Sequence, residues 1–150
     1  MRTLSYQQAD ARDAERIFCL SQALIEEYED VSAIDYDKVL AWMRRKIEHN
    51  ISSYTRILAD GRLAGYYRLV PDGGQMELDD FYVLEAFRNQ GIGTQALQEM
   101  LCECERDVIL YVFTKNVGAM RLYERNGFER SQSVSATRCV MVRRHAGKGL

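Results

Sequence analysis

Proline is almost missing from this chain, with one in 150 residues. Alongside an apolar share of 47%, that scarcity speaks against a disordered segment and for one folded domain. Histidine is scarce too. His49 and His145 lie far apart in sequence, so neither a zinc site nor a histidine-based triad is expected. No sign of charge dominates: 20 basic against 22 acidic side chains leave a net −2, which offers nucleic acid no electrostatic attraction. No apolar run approaches the length of a membrane span, and Met1-Arg2-Thr3-Leu4-Ser5-Tyr6-Gln7 lacks the apolar centre of a signal peptide. No C-x-x-C pair occurs among Cys19, Cys102, Cys104 and Cys139. They are expected to be reduced, mostly buried thiols in a cytoplasmic protein.

What is present is a regular alternation of helical and strand patterns without repeats or linkers. A short strand at residues 3–6 leads to Asp10, a suitable helix N-cap. Ile17, Ser21, Leu24, Ile25 and Tyr28 then recur at helical spacing, and a second helix over 36–49 turns Val39, Leu40, Met43 and Ile47 inward. Residues 54–59 and 63–70 flank Asp60-Gly61, a hairpin signal, and a further strand fits 75–83. Ile92, Ala96, Leu97, Met100, Leu101 and Cys104 form one helical stripe. Val108-Ile109-Leu110-Tyr111-Val112-Phe113 is an apolar run suited to a central strand buried on both faces. A short helix over 117–126 stops at Gly127, and two strands near 128–134 and 136–143 follow. The expected order is β-α-α-β-β-β-α-β-α-β-β, a mixed α/β (α+β) sheet in a single domain over 1–144, with 145–150 as a tail.

The decisive stretch is Arg88-Asn89-Gln90-Gly91-Ile92-Gly93-Thr94, a glycine-rich turn running into a helix. Such turns can merely tighten a connection, or they can hold a phosphate. A Walker A loop needs Gly-Lys-Ser/Thr, and no lysine follows here. A Rossmann fingerprint starts directly after its strand, whereas residues 84–87 intervene here, and the next strand ends in Thr114-Lys115-Asn116 rather than an acid.

Two stretches together carry a resemblance. Glu77-Leu78-Asp79-Asp80-Phe81-Tyr82-Val83, running into the R-x-x-G-x-G of Arg88 to Gly93, is one. Asn116-Val117-Gly118-Ala119-Met120-Arg121-Leu122-Tyr123-Glu124-Arg125-Asn126-Gly127-Phe128 is the other. In this order and spacing they resemble the GNAT superfamily of acyl-CoA-dependent N-acetyltransferases, across nearly the whole chain. Glu85 stands where many members have proline, a departure that removes no ligand contact.

The resemblance implies a mostly antiparallel sheet flanked by helices, with two central parallel strands splayed apart. It implies acetyl-CoA as co-substrate and no metal. The pyrophosphate would lie against Arg88, Asn89, Gln90, Gly91, Ile92, Gly93 and Thr94. Phe81, Tyr82 and Val83 would offer backbone groups to the pantetheine arm, and Asn116 would hold that arm from the other side. Tyr123 falls at the family's general acid. Glu77 and Asp79 fall where some members carry a base, although they could equally just bind a cationic substrate. Strand alternation puts Glu77, Asp79, Phe81 and Val83 on one face and Asp80 on the other.

The implied reaction is direct attack of a primary amine on the thioester in a ternary complex, the oxyanion being met by a strand N–H, that of Phe81. The acids Glu26, Glu27, Glu29, Asp30, Asp35 and Asp37 lie where the family receives its acceptor and would favour a cationic amine, or they are simply solvated surface. The partner expected is thus a small-molecule or peptide amine, not nucleic acid or membrane, and any assembly would be a homodimer. A non-catalytic acyl-CoA-binding sensor is the rival reading.

Overall fold

The computed structural model describes residues 2–145. Seven strands form one sheet: β1 (Leu4–Gln8), β2 (Thr55–Ala59), β3 (Arg62–Asp72), β4 (Gln75–Val83), β5 (Val108–Phe113), β6 (Glu129–Ser133) and β7 (Arg138–Arg143). Their order is β1-β2-β3-β4-β5-β7-β6, and only the central β4–β5 pair is parallel. The four helices are α1 (Ala14–Tyr28), α2 (Tyr36–His49), α3 (Ile92–Cys102) and α4 (Val117–Arg125). This is the expected order of elements.

Amphipathic spacing decides which helix covers which face. Ile17 and Phe18 of α1 and Met43 and Ile47 of α2 bury against Tyr54 and Tyr66. On the other face Leu97, Met100 and Leu101 of α3 and Tyr123 of α4 pack on Leu78, Val108, Leu110 and Met141. Asp10 caps as expected, but it caps a single 3-10 turn, Ala11–Asp13, that feeds α1; the Asp13 carboxylate in return accepts the Asp10 N–H at 2.9 Å. Gly127, at φ +91, ends α4 as expected: the Phe128 N–H reaches back to the Tyr123 carbonyl at 3.0 Å.

Two irregularities in β4 open the sheet. The β3–β4 register passes from Arg68↔Asp80 to Leu69↔Leu78, so Asp79 is an extra residue in a β-bulge. The β4–β5 ladder then holds only at Met76↔Val108 and Glu77↔Ile109. Beyond Glu77 the two strands part, and the β4 edge from Leu78 onward has no partner strand on that side.

Three expectations need correction. The bulge breaks the strand alternation: Leu78 packs among the α3 and α4 side chains as Phe81 does, whereas Tyr82 packs with α1 and α2. Glu77 and Phe81 therefore do not share a face. Tyr111 in β5 is 46% exposed rather than buried, because the departing β4 leaves a gap beside it. The cysteines are all free, but only Cys139 is buried: Cys19 and Cys102 sit on the solvent sides of α1 and α3, and α3 ends before Cys104. Of the expected tail, His145 is tied by its N–H to the Asp107 carboxylate at 2.8 Å, and the remainder lies outside the described residues.

Candidate active site

The start of α3 presents backbone donors that no side chain caps. Gly91 is its N-cap, held at φ +78 where an L side chain is strained, and no side chain caps the helix. No acid sits in the first turn either. The first intrahelical bond runs from the Gln95 N–H to the Gly91 carbonyl at 3.0 Å, which leaves the N–H groups of Ile92, Gly93 and Thr94 without a helical acceptor. In front of them lies a cavity of about 580 Å³. Gly93 is bare for no internal reason: a Cβ there would meet Val83 Cγ2 at 3.6 Å and Leu122 Cδ2 at 3.7 Å, ordinary contacts. Its missing side chain keeps the cavity floor open.

The other loop residues divide into those that line this cavity and those that shape the turn. Arg88 lines it, but its Nε donates to the Val83 carbonyl at 2.9 Å, so the guanidinium also staples the loop to the end of β4. Asn89 lines it from the left-handed region, at φ 61. Thr94 and Val83 line it as well. Gln90 does not: its amide donates to the Ala86 carbonyl at 3.1 Å and accepts from Arg2. The Ile92 side chain is buried in the core, which leaves its backbone N–H as the only group it can offer.

A second, smaller cavity of about 250 Å³ lies on the α2 side of the gap between β4 and β5. Phe81, Tyr82, Asn116 and Tyr123 line both cavities, so the two meet where the strands part. Asn116 caps α4, its Oδ1 accepting the Ala119 N–H at 3.2 Å, while its amide nitrogen makes no hydrogen bond among the described residues. Tyr123 comes to this junction because α4 presents it on its buried face, the ring packed edge-on against Phe128 with centroids 5.6 Å apart. Its hydroxyl has no hydrogen-bond partner among the described residues. Burial raises its pKa, so the phenol keeps its proton at neutral pH.

The floor of the smaller cavity is a knot of opposed charges. Lys46 of α2 places its Nζ 2.6 Å from Asp79 Oδ2 and 3.1 Å from Asp80 Oδ2. Arg68 of β3 reaches Asp79 at 2.7 Å and donates to the Ser53 hydroxyl, also at 2.7 Å. The Tyr54 hydroxyl donates to Asp80 at 2.5 Å, and the Tyr82 hydroxyl to its other oxygen at 3.1 Å, with Ser21 hydrogen-bonded to Tyr82 at 2.7 Å. Burial pushes the Asp80 carboxyl up against the pull of Lys46. Burial opposes the Lys46 ammonium, but the two carboxylates outweigh it and hold its pKa above the usual lysine value.

Of the two carboxylates expected in a catalytic role, the structure brings Asp79 into the smaller cavity and commits its charge to Lys46 and Arg68. Glu77 lines neither cavity. It makes no hydrogen bond or ion pair among the described residues, and burial, with Asp79 and Asp72 nearby, raises its carboxyl pKa. The acids of the α1–α2 region do not line the smaller cavity, and local contacts claim most of them. Glu26 accepts the Tyr36 hydroxyl at 2.6 Å, Glu29 the Thr137 hydroxyl at 2.8 Å, Asp30 caps the turn that follows it, and Asp35 caps α2. Glu27 lies on the larger cavity instead, and Asp37 sits exposed in the first turn of α2.

Sequence reasoning overlooked Lys46, Asp80, Tyr111, Trp42 and Arg138, all of which line the smaller cavity. Lys46 carried a signal: it lies three residues past Met43 and one before Ile47, on the edge of the apolar stripe of α2. Asp80 carried none, since only the bulge turns two consecutive acids toward one lysine.

Comparison with known proteins bears on the fold and the family. Residues 14–128 match the model of a family described as acetyltransferase (GNAT). The spermine/spermidine N(1)-acetyltransferase of Bacillus subtilis (strain 168) is 32% identical over 84 residues, 47% of this chain and 55% of that protein. The chain thus spans about half the length of the curated relatives it matches. Among solved structures, the PaiA N-acetyltransferase of Thermoplasma acidophilum in complex with coenzyme A aligns with a TM-score of 0.68 at 17% identity, covering 95% of this chain and 99% of its own. An N-acetyltransferase from Staphylococcus aureus Mu50 aligns at 0.72 and 14% identity, covering 92% and 99%. At those identities the solved structures speak for the fold. The family match spans well over half of the sequence, and on it the chain belongs to the acetyltransferase (GNAT) family.

Proposed function

We propose that the protein transfers the acetyl group of acetyl-CoA to a primary amine by direct attack in a ternary complex. The observation that carries this reading is the position of Tyr123, whose ring lines both the cavity in front of α3 and the smaller cavity behind the splay. One cavity fits the donor and the other the acceptor, with one protonated phenol between them.

The residues present fit the donor. The free N–H groups of Ile92, Gly93 and Thr94, with the positive end of the helix, suit the pyrophosphate, and Asn89 and Arg88 close the loop around it. The unpaired β4 edge, at Phe81, Tyr82 and Val83, suits the amide-bearing pantetheine arm, and the free Asn116 amide faces it across the gap. PaiA from Thermoplasma acidophilum, which shares the fold, is itself a complex with coenzyme A.

In the reaction the amine nitrogen forms a bond to the acetyl carbon and the carbon–sulfur bond breaks. An alkyl ammonium, pKa about 10, must first lose a proton. Glu77 is the better base of the two carboxylates: its pKa is raised and its charge is not committed, and it would act through water because it stands outside the cavity. Asp79 instead fixes Lys46. The N–H of Phe81 on the open β4 edge would meet the developing oxyanion. Tyr123 would pass its proton to the departing sulfur, so that amide and CoA thiol are the products.

The test is steady-state release of free thiol from acetyl-CoA over an amine panel, beginning with the polyamines named for the Bacillus relative. Tyr123→Phe keeps the ring and should leave stability and acetyl-CoA affinity nearly unchanged, while kcat falls on the order of 10²-fold. Wild-type turnover in the folded variant would remove Tyr123 from the mechanism. Acetyl-CoA binding without acetylation of any amine by wild type would leave a sensor.

A further inference from the structure

The acceptor cavity has a charge balance that no acidic-pocket reading anticipates. Its two carboxylates, Asp79 and Asp80, are met by two cations, Lys46 and Arg68, at distances of 2.6–3.1 Å. Nothing negative is left over on its floor. One charged residue lining the cavity remains, Arg138 at the start of β7, and among the described residues its guanidinium makes no hydrogen bond or ion pair. Glu29 is hydrogen-bonded to Thr137, the residue next to Arg138, and lines neither cavity.

The cavity wall is as informative as its charge. Trp42 of α2 and Tyr111 of β5 both line it and are 59% and 46% exposed, although each is a large ring. Leu24, Ile25 and Met43 complete an apolar surround. At about 250 Å³ the space sits just below the usual range for small-molecule sites, so the group held inside is small.

We infer that the acceptor is an amine whose body is apolar or aromatic and which carries an anionic group, a carboxylate, that pairs with Arg138. This rests on the acetyltransferase reading above. An arginine fork matches a carboxylate with two parallel hydrogen bonds, and the exposed rings of Trp42 and Tyr111 are covered by an apolar body. A polyamine fits this cavity poorly. Its second and third ammonium groups would lose water without gaining a free carboxylate, and one of them would face Arg138.

The experiment compares matched amines, each amino acid with its counterpart lacking the carboxylate, at saturating acetyl-CoA. The pairs are phenylalanine with phenethylamine, 3-(aminomethyl)benzoate with benzylamine, and 6-aminohexanoate with hexylamine, with spermidine and spermine run alongside. They vary the spacing between amine and carboxylate. In at least one pair the acid should be preferred by roughly tenfold or more in kcat/KM, and both polyamines should be poorer than that acid. Arg138→Ala should raise KM for the acid by a similar factor with kcat little changed, erasing the preference. Arg138→Lys should restore part of it. Trp42→Ala should raise KM for both members of the preferred pair.

Preference for spermidine, equal rates within every pair, or an unaltered KM in Arg138→Ala would each overturn the inference. If no amine is acetylated, calorimetry of the same acids on the protein with CoA bound still decides. Binding lost in Arg138→Ala upholds the anion site while the acetyltransferase reading fails. Absence of binding in the wild type overturns the anion site as well.

Discussion

The two cavities that meet at Tyr123 are built on opposite principles. At the start of α3 the backbone offers donors with no helical acceptor, and Gly91 and Gly93 put no side chain beside them. On the floor of the smaller cavity each carboxylate has a cation and the hydroxyls of Tyr54, Tyr82 and Ser21 have partners: with Asp79, Asp80, Lys46 and Arg68 they close on one another. The first region leaves its backbone donors without an internal partner. The second is a structural charge network that also happens to shape a site. Substitutions in the two regions should therefore separate cleanly, binding lost in one and stability in the other.

The largest effect should come from the network. Lys46→Met leaves Asp80 buried without its cation, a change that costs on the order of 3–5 kcal/mol. Chemical denaturation should show the loss. With Lys46 gone the Asp80 pKa rises further above its unfolded value, so the folded state takes up a proton more readily than the unfolded one and the deficit should shrink as pH falls. Adding Asp80→Asn should recover much of the stability. If Lys46→Met unfolds no sooner than wild type, the network is ornamental and the contrast between the regions collapses.

Next comes the loop. Gly91→Glu introduces a side chain at φ +78 and a negative charge at the helix start, and acetyl-CoA affinity should fall about 10²-fold or more by calorimetry. The fold should survive, because a Cβ at Gly91 meets nothing within 4 Å. Unchanged affinity would mean that the turn is only a connection.

Glu77 tests the boundary between the regions. Its raised pKa means that the fold prefers the neutral carboxyl. At neutral pH the ionised group therefore costs stability, and this cost disappears as pH falls through the folded pKa. Glu77→Gln should thus melt slightly higher than wild type at neutral pH while losing about 10²-fold in kcat. The wild-type pH–rate profile should show an acid limb above the ordinary carboxylate range, absent from the variant. An acid limb that survives in Glu77→Gln would transfer the base to another group.

The smallest and most diagnostic change is Gly93→Ala. The residue is in the first turn of α3, and its Cβ would make only ordinary contacts, so stability should hold or rise by up to about 1 kcal/mol. Acetyl-CoA affinity should nevertheless drop roughly tenfold, since the methyl group projects beside the phosphate position. A variant that gains stability without losing affinity would show that Gly93 is not part of the anion cradle.

Much of this molecule is local, and local patterns can be read in a linear sequence. The seven strands and four helices follow from apolar spacing, from Asp60-Gly61 at the first hairpin and from Gly127 at the end of α4, each set by residues within a few positions of one another. The α3 start is legible for the same reason: one segment, Arg88 to Thr94, contains both the left-handed turn and the uncapped helix. The motif around Tyr123 is one helix and its caps. The smaller cavity is different in kind. Lys46 meets Asp79 and Asp80 from another helix, Arg68 and Tyr54 arrive from neighbouring segments, and Arg138 is contributed by the far end of the chain. Which face Glu77 takes depends on the extra residue at Asp79, and a strand pattern read by alternation has no means of counting it until β3 supplies the register. By itself the sequence determined the elements, the glycine turn at the start of α3 and the place of Tyr123 on α4. Charge compensation between distant side chains, and the side of the sheet on which each acid falls, were decided only by tertiary packing, because both depend on distances that close when the sheet forms.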